Sequence, residues 1–360
     1  MKKAKKYLLF TVILTLLLLL FPVTALAEGE SDGLIDKYGE LIPDGLGIPT
    51  EPEELVSALG PDALLNELFS AFRGVAGRAV SFFFLLFGVS VLLSLSSGVT
   101  GELAPVIRAA ASAVAALLIF MRLLPLVSEV SDTLSALSVF FSGAAPIMLT
   151  ALSMSGGALS SASAATGVAV TLELSSYITR GFLFTLTFAM FFSGLAASFG
   201  GGLCTVARGV RSAFAKGVGI VSALLLGLLS LQTLIGAAKD NLALRAARYA
   251  STSTLPIVGS TVAGALSTLV GGLSYARGII GGSAILVISL LALTPLVMLL
   301  LYKLAFFLAI SFLEFSSANE GVSCLSALRD ALDALIAVYI FSAVVYILET
   351  VLLLKVEVVF

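Results

Sequence analysis

Apolar positions in this chain come in long blocks, without the strict alternation of a half-buried strand, and polar positions are gathered between the blocks. Apolar runs cover 79–99, 104–127, 133–153, 181–204, 217–238, 278–302 and 331–354. Each comes close to, or exceeds, the roughly 20 residues that a helix needs to cross a bilayer. The pattern predicts an all-α, polytopic membrane protein with seven or eight transmembrane helices.

The third run is open to two readings. No charge occurs from Thr133 to Leu172, enough chain for two spans joined at Ser155, Gly156 and Gly157. Residues 158–171, however, are mostly Ala, Ser, Gly and Thr, which insert weakly alone. A broken or re-entrant helix in 133–179, lining a protein interior, competes with the second span. Arg208, Arg211 and Lys216 form the most basic loop, and such loops stay cytoplasmic. With residue 28 outside, that placement asks for an odd number of crossings between them, which a second span in 133–179 supplies.

One long patterned segment, Gln232 to Gly272, interrupts the blocks. Residues 239–255 read as an amphipathic helix, with Asn241, Arg245, Arg248 and Thr252 on one face and Leu242, Ala246 and Tyr249 on another. Lys239 and Asp240 open it, and Pro256 stops or kinks it. From Gly259 a second pattern begins: Gly259, Ala263, Ser267 and Gly271 recur at every fourth position, with Ser260, Gly264, Thr268 and Gly272 beside them. A doubled stripe of small residues lets another helix approach backbone to backbone. Anchoring of Lys239, Arg245 and Arg248 to lipid headgroups is an equal reading of the charged half.

Composition supports the membrane assignment. Hydrophobic residues make up 59% of the 360, charged residues 12%, and mean hydropathy is +1.12. The net charge of −2 leaves no basic field for nucleic acid. Histidine is absent, which removes the commonest general base and the usual metal-binding imidazole, so neither cofactor nor metal is expected and enzymatic chemistry is disfavoured. Cys204 and Cys324 lie far apart and read as small buried apolar side chains. Nothing matches a phosphate-binding loop or a dinucleotide fingerprint.

The first 27 residues read as a secretory signal peptide, basic at Lys2, Lys3, Lys5 and Lys6, apolar from Leu8 to Phe21, with Ala25 and Ala27 marking the cleavage site. Residues 28–78 follow as an acidic extracytoplasmic segment, in which Pro61 to Phe72 predicts a short helix at the membrane entrance. Residues 79–360 are the helical membrane domain. Within it Glu173 and Glu349 sit in apolar surroundings, and a carboxyl in a membrane usually faces a cavity or a partner. For Glu173 a place at a span end is the competing reading.

The block LQTLIGAAKDNLALRAARYASTSTLPIVGSTV at 231–262, behind a signal peptide and a short acidic segment, resembles the stage III sporulation protein AE family of endospore-forming bacteria. Gln232, Lys239, Asp240, Pro256, Val258 and Gly259 carry the resemblance. It implies a multi-pass protein of the mother-cell membrane around the forespore. The role implied is a non-enzymatic, permease-like core of the channel that joins the two cells and sustains late forespore gene expression. Implied partners are the other proteins of the same operon, namely a secretion-type ATPase, ring-forming proteins and small membrane subunits, and through them a forespore membrane protein. A self-sufficient secondary transporter of a small solute or ion is the competing function.

Overall fold

A computed structural model describes residues 61–154, 158–177 and 259–355, together with the helical positions Thr185, Ala189 and Phe192. Five helices are described: α1 (Pro61–Ser97), α2 (Ala104–Met154), α3 (Ala158–Tyr177), α4 (Gly259–Phe315) and α5 (Asn319–Lys355). No strand occurs among the described residues. Four of the helices contain stretches long and apolar enough to cross a membrane: Asn66–Ser97, Ala104–Ser153, Gly278–Phe315 and Gly321–Leu354.

α1 starts on Pro61, whose missing N–H costs nothing at a first helical position. The short entrance helix expected over 61–72 is the opening of this longer one, which runs on through residue 78 without a break. α2 corrects a second expectation. Residues 104–127 and 133–153 were to be separate spans, yet they form one helix of 51 residues. The stretch between them, Ser128 to Asp132, contains neither Gly nor Pro, and Glu129 finds a cationic partner on α1. Charge alone does not end a helix when the charge is paired, and joining the two lowers the expected number of crossings by one.

The break near Ser155 falls where the glycines place it, with α2 ending at Met154 and α3 starting at Ala158. α3 turns back along α2, where the Ser161 hydroxyl donates to the Leu149 carbonyl at 2.9 Å. α3 has 20 residues, and only Ala164–Leu174 stands out as apolar, too short to count among the spanning stretches.

Contacts set the directions of the helices. α1 and α2 are antiparallel across a tight turn in which Gly101 adopts φ +113°, a conformation open to glycine and costly for other residues. α1 runs alongside α4 in the same direction. Phe82 stacks on Tyr302 with ring centroids 4.0 Å apart, and Phe87 meets Phe312 further along. α4 and α5 form an antiparallel hairpin, and α5 then runs parallel to α2, with Cys324 beside Ser112 and Tyr346 against Phe141. Tyr339, Tyr346, Phe141 and Phe306 are the largest fully buried side chains of the resulting core. Phe69, Phe84, Leu95, Val106, Met121, Val139, Phe307 and Phe315 point outward, an apolar exterior suited to lipid.

Candidate functional site

The site lies in the polar residues that the bundle holds among its apolar ones, at two levels. The lower level consists of ion pairs between helices. Lys303 on α4 meets Asp333 on α5 with Nζ 2.6 Å from Oδ1, and both atoms are shut off from solvent. Each is the other's sole polar partner among the described residues. Arg78 on α1 grips Glu129 on α2 with both guanidinium ends, at 2.7 and 3.2 Å. Tyr302 directly precedes Lys303 on α4 and Phe82 follows Arg78 by one turn of α1, so the Phe82–Tyr302 stack joins the two helices at this level.

These groups escaped the sequence reading. Lys303 stands next to the end of the expected 278–302 span and Asp333 near the start of the expected 331–354 span, so each read as an end residue. The extension of α4 to Phe315 and of α5 back to Asn319 moves both into helix interiors. The available signal was the apolar sequence flanking Lys303 on both sides, Leu301 and Tyr302 before it and Leu304 to Ile310 after it.

The upper level is centred on Glu349 of α5, which is 3% exposed. Thr171 of α3, itself buried, lies 3.4 Å from Glu349 Oε2 by its hydroxyl. Thr350 and Ser342 on α5 and Ser283 on α4 are also buried, but their hydroxyls donate to carbonyls of their own helices. α4 also reaches this level: the Leu354 side chain lies against Gly281 so tightly that a Cβ there would overlap it.

The two carboxyls singled out in the sequence are thereby separated. Glu349 is enclosed, whereas Glu173, two residues beyond Thr171 on α3, is exposed. Gly259 is the first residue of α4, so the helix begins where the small-residue pattern begins. Ala263, Gly264, Ser267, Gly271 and Gly272 are helical on α4, while the environment of their side chains lies outside the described residues. Ala25, Ala27, Gln232, Lys239, Asp240, Arg245, Arg248 and Pro256 lie outside the described residues altogether. Cys324 is fully buried, and Cys204 is outside the described residues. No group of His, Cys, Asp and Glu able to hold a metal occurs among the described residues.

No curated protein and no solved structure matches the chain. The family model described as stage III sporulation protein AE matches residues 55–356, a stretch that contains all five described helices and both polar levels. The chain therefore belongs to the stage III sporulation protein AE family.

Proposed function

We propose that this stage III sporulation protein is the non-enzymatic, permease-like membrane core of the complex that links mother cell and forespore. The observation that carries the reading is the family match across 55–356, joined to a bundle whose long helices are apolar on the outside. A core component needs helices that hold one another in place and leave outer surface for companions. The pairs Lys303–Asp333 and Arg78–Glu129 tie α4 to α5 and α1 to α2. Any energy source then belongs to a partner, with a secretion-type ATPase and ring-forming proteins of the same operon as the companions.

The test is crosslinking in sporulating cells followed by purification of this chain. Recovery of the operon-encoded partners is the expected result; recovery of the chain alone defeats the reading. A second reading, a self-sufficient secondary transporter, draws its support from the enclosed Glu349, because carboxyls inside membrane bundles commonly lie on ion or proton paths. Purified protein in liposomes would then move a solute or ion unaided.

A further inference from the structure

We propose that Glu349 is a binding site for a hard monovalent cation, a proton or an alkali ion, inside the helical bundle. A carboxylate removed from water is not left charged and alone; it is paired, coordinated or neutralised. Among the described residues no cationic side chain pairs with it. No Lys or Arg occurs in 133–154 of α2, 158–177 of α3, 278–302 of α4 or 334–354 of α5; Arg277 of α4 stands just beyond, and its side chain lies outside the described residues. The titratable groups there are Glu173 and Tyr177 on α3, both exposed, Tyr302 on α4, and Tyr339 and Tyr346 on α5. Lys355 follows six residues later on α5, about 120° around the helix from Glu349. The Lys303–Asp333 pair is complete in itself and meets α5 16 residues away, roughly 24 Å along the axis.

What the bundle does supply is oxygen. The Thr171 hydroxyl is aimed at Oε2 from a different helix, at a distance long for a hydrogen bond. A hydroxyl beside a carboxyl offers an acceptor to a proton and a ligand to an alkali ion. The site needs only the folded chain, so it stands or falls apart from the assembly reading above.

Purified full-length protein is treated with dicyclohexylcarbodiimide, an apolar reagent that captures protonated carboxyl groups in membrane proteins. If the ligand is a proton, the reagent modifies the peptide carrying Glu349, and modification falls about tenfold per pH unit once the proton is lost. If the ligand is an alkali ion, sodium or potassium at fixed pH protects Glu349 from modification. The melting temperature of the wild type then depends on pH or on alkali-ion concentration in a way that Glu349→Gln abolishes. Either response supports the site. It is overturned if Glu349 stays unmodified from about pH 5 to about pH 8, with and without alkali ions, and wild type and Glu349→Gln melt in parallel throughout.

Discussion

The Tyr339 hydroxyl on α5 donates to the main-chain carbonyl of Ala292 on α4 at 2.8 Å, in the fully buried centre of the hairpin. Pro295 lies one turn further along α4. It lacks the N–H that the Leu291 carbonyl would otherwise accept, and the carbonyl that Tyr339 takes is the next one along. Proline inside a membrane helix is tolerated where a neighbouring helix satisfies the freed backbone. Tyr339→Phe keeps the ring and removes only the donor, so it should lower stability by about 1 kcal/mol. Thermal unfolding of the two proteins in the same detergent measures the difference.

Lys303 and Asp333 are held together by a contact whose atoms are shut off, although their side chains are 20% and 34% exposed overall. That partial exposure reduces the cost of breaking the pair below the value for a fully buried one, to about 1–3 kcal/mol. Lys303→Met and Asp333→Asn should each destabilise the hairpin by that order. The exchanged pair Lys303→Asp with Asp333→Lys should recover part of the loss, and a double-mutant cycle reads the coupling.

At Gly281 the approach of α4 to Leu354 leaves no room for a side chain. Gly281→Val should cost about 1–3 kcal/mol by overpacking, with partial rescue by Leu354→Ala. Gly88 on α1 is the contrast, since a Cβ there meets nothing within 4 Å. Gly88→Ala should be neutral or stabilising by up to about 1 kcal/mol, because the helix loses a flexible residue. Melting temperatures of the three variants rank the two sites.

The end of α4 carries a strained residue. Ser317 adopts φ 57°, and the pair of bonds Ala318 N to Leu313 O and Ser317 N to Glu314 O forms the six-to-one and five-to-two pattern that glycine usually completes. Ser317→Gly should relieve the left-handed strain and raise stability by about 1 kcal/mol. A fall in melting temperature would show that the serine contributes something its backbone conformation does not reveal.

Helical class and membrane character were legible because apolar blocks of that length admit few alternatives. Glu349 was legible for the same reason, standing alone between Leu348 and Thr350 in an apolar run. The Lys303–Asp333 and Arg78–Glu129 pairs were not, since each charge sits near a span end in sequence and only the tertiary register reveals its partner. The gap expected between 104–127 and 133–153, which holds Glu129 and Asp132, had the same origin. It affected the expected topology: with α2 continuous, the stretches 66–97, 104–153 and 181–204 already offer an odd number of crossings before the basic loop. The parity argument then no longer asks for α3 to cross.

The continuity of α2 sets a dimension for the whole molecule. Its 51 residues, with Pro125 and Pro146 among them, have a length along the helix of about 77 Å, against a hydrocarbon layer of about 30 Å. A single crossing, even tilted by about 40°, consumes roughly 39 Å of that length. About half of α2 therefore exceeds what one straight crossing uses, and Pro125 and Pro146 inside it are the positions where that extra length can bend.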